Sequence, residues 1–117
     1  MKQIVFCFRN GPLAGIALLE HVQMALVAKA FNATVRIVLS DSGVMLASNL
    51  YSNNELTSQT RGYFKSLALY DIDEVLVEEE SALNFGIVQT QLFAPASITN
   101  NKNLNRILRM ADIILEA

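Results

Sequence analysis

The sequence has almost none of the residues on which metal, redox and nucleic-acid proteins depend. Cys7 and His21 are the single cysteine and histidine among 117 residues. A disulfide framework needs cysteines in pairs, and a closed zinc site needs four ligands of these types, so neither is expected. No other metal site and no cofactor is expected either. Gly11 and Gly15 follow the first apolar run, but the third glycine of a G-x-G-x-x-G turn is missing, and with it the dinucleotide fingerprint. A Walker loop and a G-x-S-x-G nucleophile elbow are absent too. Lysine and arginine never form a block, and the net charge is −2. Neutralising phosphates takes clustered cations, so this chain is not expected to bind nucleic acid directly. The longest apolar-rich stretch, Gly15 to Phe31, is interrupted by Glu20, His21, Gln23 and Lys29. It falls short of the roughly 18 uninterrupted apolar residues of a membrane span. Met1 to Val5 shows no signal-peptide layout, which makes the cytoplasm the expected location.

Apolar residues are present in excess: 52% of the chain is hydrophobic and only 17% charged. With no membrane span to take up this surplus, it points to a partner subunit, because obligate interfaces resemble a core cut in half. The length suits a single domain over residues 1–117 that can bury a core without staples.

The pattern of apolar residues predicts alternating strands and helices. Ile4 to Phe8 is a continuous β-branched and aromatic run, expected as a strand buried on both faces. Arg9 to Pro12 is a turn. Ala14 to Phe31 places Ile16, Leu19, Val22, Leu26 and Ala30 at helical spacing as a packed face, ending at Asn32-Ala33. Thr34 to Leu39 is a second strand. Asp41-Ser42-Gly43 is a turn, Val44 to Leu50 a short helical turn, Asn53-Asn54 a polar loop and Thr57 to Leu69 a helix. Glu74 to Val77 is the third strand, followed by a short helix, Ser81 to Phe85, stopped by Gly86. Leu92 to Ala96 is expected as a weak fourth strand, Leu104 to Met110 as a last helix after polar Asn100 to Asn103, and Ile113 to Leu115 as a short buried strand. This alternation is that of an α/β domain, a doubly wound, mostly parallel five-stranded sheet flanked by helices.

Sites in such sheets gather beyond the carboxyl ends of the strands. Four candidates stand there. Arg9 follows the first strand, placed either to hold an anion or to sit at an interface. Asp41 opens a turn whose side chains bond their own backbone, or binds a ligand. Glu78 and Glu79, with Glu80, follow the third strand. These acids have three readings: a solvated complement to a helix dipole, a like-charge cluster tuned for acid–base work, or a charged docking surface. Cys7 lies inside an apolar strand, where burial disfavours the thiolate, and is expected to be a core side chain. His21 is expected at a surface or interface.

The segment Phe64-Lys65-Ser66-Leu67-Ala68-Leu69-Tyr70-Asp71-Ile72 resembles the FK-L-LYDI segment of the DsrE/DsrF/DsrH family, and within it the TusC-like (DsrF-like) branch. Asp41-Ser42-Gly43-Val44 resembles that family's D-x-G-V turn. Arg106 to Leu115, with Ala111-Asp112-Ile113-Ile114-Leu115, resembles its closing helix and strand. Pro12-Leu13-Ala14 departs from the family's Pro-His-Gly. The resemblance implies a small parallel α/β fold assembling with TusB-like and TusD-like chains into a heterohexamer; in isolation the chain could form a homodimer. It implies a relay of persulfide sulfur toward 2-thiouridine at the tRNA wobble position, or alternatively a DsrF-like role in intracellular sulfur oxidation. A homo-oligomeric ligand binder using the acidic loop is the third option. The relay cysteine is implied on the TusD/DsrE-like chain, after the third strand. Glu78 stands there in this sequence, so no catalytic residue is expected on this chain.

Overall fold

A computed structural model describes residues 2–10, 16–48, 72–93 and 95–116, with first-helix side chains described from residue 20 onward. The predicted helix 57–69, the Asn53-Asn54 loop, the Gly11-Pro12 turn and all of the 64–72 motif except Ile72 lie outside the described residues.

Strand β1 (Gln3–Phe8) leads into helix α1 (Ile16–Ala30), and β2 (Thr34–Leu39) into a 3-10 segment, Asp41–Ala47. Strand β3 (Glu74–Glu78) runs directly into α2 (Glu79–Asn84). Strand β4 (Ser97–Thr99), helix α3 (Asn101–Met110) and strand β5 (Ile113–Glu116) complete the order. The five strands form one sheet in the order β4-β3-β2-β1-β5, and every pairing is parallel. The first three steps move one strand along the sheet, while the last jumps back across it to β5. Right-handed crossovers therefore put α1 and α2 on one face and α3 on the other.

The side chains confirm this division. Phe6, Phe8, Val35, Ile37, Val75 and Val77 are buried with Val22 and Ala25 of α1 and Ala82 of α2. Val5, Cys7, Val38 and Leu76 point the other way, against Leu104 and Ile107 of α3. This is the period-2 alternation of a strand, and both sides are apolar because both are covered. The predicted burial on both faces holds for Val5 to Phe8, whereas Ile4 is only half-buried.

Both described helices on the first face stop in the same way. Asn32 takes a left-handed φ of 64°. The Ala33 N–H reaches the Ala28 carbonyl at 3.1 Å and the Asn32 N–H the Lys29 carbonyl at 3.0 Å. Gly86, at φ 68°, lets Ile87 reach Ala82 at 2.8 Å and Gly86 itself reach Leu83 at 3.1 Å. These are Schellman endings, each satisfying two orphan carbonyls.

Six expectations need correction. The buried face of α1 is Val22 and Ala25, whereas Leu26 and Ala30 are exposed. The helix is apolar nearly all round, so periodicity could not choose its inner side. The short helix begins at Glu79, directly at the end of β3, and the turn at Asp41 and the helical turn after it are one 3-10 segment. Residues 92–96 do not form the fourth strand. Leu92, Phe93 and Ala96 are buried as an irregular plug, and Pro95 has no N–H to give a ladder. The strand is Ser97–Thr99 instead. Its outer edge is closed by Gln89, whose carboxamide oxygen accepts the Ile98 N–H at 2.8 Å and whose nitrogen donates to the Ala96 carbonyl at 3.0 Å. Asn100 to Asn103 is cap and first turn: Asn100 Oδ1 accepts the Asn103 N–H at 2.9 Å. Finally, β5 is not buried, because strand order puts it at an open edge, with Ile113 and Ile114 41% and 46% exposed.

Candidate functional site

The carboxyl ends of the strands carry two clusters of polar residues. The first joins β2 to β3. Ser81, in the first turn of α2, is only 3% exposed. Its hydroxyl oxygen accepts the Asp41 N–H at 2.9 Å and donates its own proton to Glu78 Oε1. Glu78 is the N-cap residue of α2, so a carboxylate lies where the helix dipole is positive. Asp41 holds a left-handed φ of 50° as it opens the 3-10 segment. Ser81 thus fastens that strained turn to the end of the neighbouring strand. Its hydroxyl proton and one of its acceptor positions are engaged and the residue is buried, so it serves as a tie between the two elements.

The second cluster lies between the carboxyl ends of β1 and β5. Here the Arg9 guanidinium donates to Glu116 Oε1 at 2.9 Å, bridging the two strand ends. The carbonyl of Arg9 accepts the Ser42 hydroxyl at 3.2 Å. Cys7 lies just below, on the α3 side, at 7% exposure. Burial pushes its thiol up, the charge of Glu116 pushes further, and Arg9 partly opposes both. A thiol in this state is a poor nucleophile.

Of the four candidates, Asp41 and Glu78 are brought together, through Ser81. Arg9 faces Glu116 instead, and Glu79 is exposed in the first turn of α2. Sequence reasoning missed Ser81 and Glu116 as partners. Ser81 was legible in part, since Glu78-x-x-Ser81 has the i, i+3 spacing of helix-cap pairs. Glu116 was not, because only the strand order sets it beside Arg9. His21 lies edge-on to the Phe8 ring, with centroids 6.3 Å apart. Among the described residues there is no group of three or more His, Cys, Asp or Glu placed to hold a metal ion. No helix among them is long and apolar enough to cross a membrane. The outer face of α3 carries Lys102, Arg106 and Arg109 along a groove of about 660 Å³, with no acid on that helix. Its cations stand at i, i+4 and i+7, so they form no block in the sequence and are gathered only by the helix.

An all-parallel sheet of this order, with its polar residues clustered at the strand ends, defines a class of small α/β proteins. The chain belongs to the DsrE/DsrF-like family, whose model matches residues 2–116. It is similar to the Protein TusC homolog of Aliivibrio fischeri, with 28% identity over 116 residues and 98% of each chain covered. The Protein TusC homolog of Vibrio parahaemolyticus is 27% identical over the same length, again with 98% of each chain covered. That of Vibrio vulnificus is 26% identical over 109 residues, 92% of each. In three dimensions the chain superposes on the crystal structure of the ychN protein from E. coli with a TM-score of 0.78, covering all of both chains at 17% identity. That likeness is one of fold.

Proposed function

We propose that this chain is the non-catalytic, TusC-like subunit of a sulfur relay. It would assemble with TusB-like and TusD-like chains and serve 2-thiouridine formation at the tRNA wobble position. The observation that carries the reading is the state of Cys7, the chain's one thiol, which is buried in β1 and held protonated by that burial. A persulfide carrier needs an accessible thiolate, and a strand end leading into a helix N-terminus supplies one by lowering the thiol pKa. At that place this chain has Glu78, hydrogen-bonded to Ser81, followed by exposed Glu79 and Glu80. A carboxylate cannot accept sulfur, and three together repel a persulfide anion. The chain's contribution is then positional. It would shape and charge the surroundings of a partner's cysteine while sulfur stays off its own side chains. The similarity to three TusC homologs over nearly the whole length supports the reading.

The test is reconstitution with the two partner chains followed by persulfide loading and intact-mass measurement of each subunit. A partner should gain the mass of one sulfur atom, this chain should gain none, and Cys7→Ala should leave transfer unchanged. Sulfur found on Cys7 overturns the proposal. A deletion strain should lose 2-thiouridine from its tRNA. If thiolation persists and sulfur oxidation fails instead, the DsrF-like role takes its place.

A further inference from the structure

Helix α3 carries charge that works against its own stability. Lys102, Arg106 and Arg109 are exposed at positions i, i+4 and i+7, on one side of the helix and spaced about 6 Å and about 4.5 Å along its axis. Lys102 stands in the first turn, where the helix dipole is positive and an acid would be favoured. That turn holds no acid, and only Arg109, in the last turn, is placed to suit the dipole. Like charges at i, i+4 also repel, which sets Lys102 against Arg106. Folding therefore accounts for Arg109 and not for the other two. Elsewhere among the described residues Arg9, Lys29 and Arg36 are each matched to a carboxylate, that of Glu116, Asp73 and Glu74 in turn. No described residue forms an ion pair with the three cations of α3.

The surface around them suits a chain segment of opposite charge. The three cations line a groove of about 660 Å³ together with Asn100, Asn103 and Asn105. Arg106 is oriented by its neighbours: Nη2 donates to Asn103 Oδ1 at 2.7 Å and Nη1 to Met110 Sδ at 3.7 Å. A guanidinium has five N–H donors, so three remain beyond these two. The stripe ends at Met110, which is 57% exposed. Three cations followed by an apolar side chain along one side of a helix complement an amphipathic helix that bears carboxylates and one apolar anchor. We infer that the outer face of α3 docks an acidic helical segment of a partner protein. The segment lies antiparallel to α3, so that the two helix dipoles attract, and sets its apolar residue against Met110. A nucleic-acid backbone suits this surface less. It would run on past Met110 to the exposed Asp112, and its phosphates have nothing to place on an apolar side chain. The inference concerns α3 alone and does not depend on the relay reading.

The test is fluorescence anisotropy with the full-length chain and a labelled, alanine-based helical peptide. The peptide carries one Leu and three Glu residues in the antiparallel register of Met110, Arg109, Arg106 and Lys102. It should bind, and more weakly as salt is raised. A peptide of the same composition with its Glu residues spread round the helix should bind about tenfold more weakly. Lys102→Glu and Arg106→Glu, each confirmed as folded by circular dichroism, should each weaken binding of the matched peptide by about the same factor. Lys102→Glu should nevertheless melt no lower than wild type, because it relieves the repulsion and suits the dipole. That combination separates docking from support of the fold. No binding of the matched peptide, equal binding of the scrambled one, or affinity indifferent to the two substitutions overturns the inference. A lowered Tm for Lys102→Glu overturns it too, since the cation would then serve the helix. A short RNA duplex that binds more tightly than the matched peptide overturns it in favour of a nucleic-acid contact.

Discussion

A Cβ built on Gly43 would lie 2.0 Å from the carbonyl oxygen of Phe8, a backbone atom that cannot swing away. A Cβ on Gly86 would meet nothing within 4 Å, but the residue sits at φ 68°. The two glycines are therefore required for different reasons, one by close approach and one by its dihedral. Gly86→Ala should cost about 1–2 kcal/mol, the left-handed penalty alone. Gly43→Ala should cost more, at or above the upper end of the roughly 1–3 kcal/mol of an overpacked core. Denaturant titration of both variants checks the order. Asp73 supplies the pH-dependent contact. Burial by itself would raise its carboxyl, but the Val35 N–H at 2.7 Å and the Lys29 ammonium at 3.0 Å, with the charge of Arg36 behind them, hold it below the ordinary value. A carboxyl with a depressed native pKa stabilises the fold above its unfolded pKa of about 3.9, and loses that contribution as pH falls through the native value. Asp73→Asn should therefore lower Tm at pH 7, and the gap to wild type should close as pH drops below about 4. Cys7 follows the opposite sense: alkylation should be slow in the native protein and fast in denaturant, because burial disfavours the thiolate.

Helix α3 rests on few anchors. It alone among the described helices covers its face of the sheet, anchored by Leu104 and Ile107. Its first turn relies on the Asn100 side chain. Asn100→Ala should cost about 1 kcal/mol through the lost cap. Leu104→Ala should cost about 2–5 kcal/mol and open the α3 side of Cys7, so the variant's thiol should also label faster than wild type. Thermal melts and the labelling rate read the two effects separately. The carboxyl-terminal ends of α1 and α2 were legible because a local signal marked them, whereas the starts of α2 and α3 were expected too late. Asn32 and Gly86 ended their helices as expected, because both accept the left-handed conformation. The fourth strand was misplaced because Leu92, Phe93 and Ala96 are as apolar as a strand but serve as a plug. Only the packing of neighbouring elements decides between those uses.

The whole sheet is asymmetric at its edges. At β4 the Gln89 carboxamide occupies the ladder positions that a sixth strand would take. At β5 the Asp112 N–H bonds the Gln3 carbonyl at 2.8 Å, so by alternation Ile114 also faces β1 while the backbone groups of Ile113 and Leu115 point outward. Hydrogen exchange should follow: fast at Ile113 and Leu115, slow at Ile114, slowest in central β1 and β2. Open apolar edges are rarely left bare in native proteins, which fits the excess of hydrophobic residues noted in the composition.

Local chemistry determined much of this protein. The apolar runs established which segments are strands, their alternation with helical spacing established a parallel α/β sheet, and the lone buried Cys7 argued against thiol chemistry. These properties depend on neighbours in sequence, so they can be read there. Tertiary structure decided the rest. The pairing of Arg9 with Glu116, the tie from Asp41 through Ser81 to Glu78, and the exposure of β5 all follow from strand order. A strand order is chosen by long-range packing, so residues that no local pattern connects become partners only once the sheet has formed.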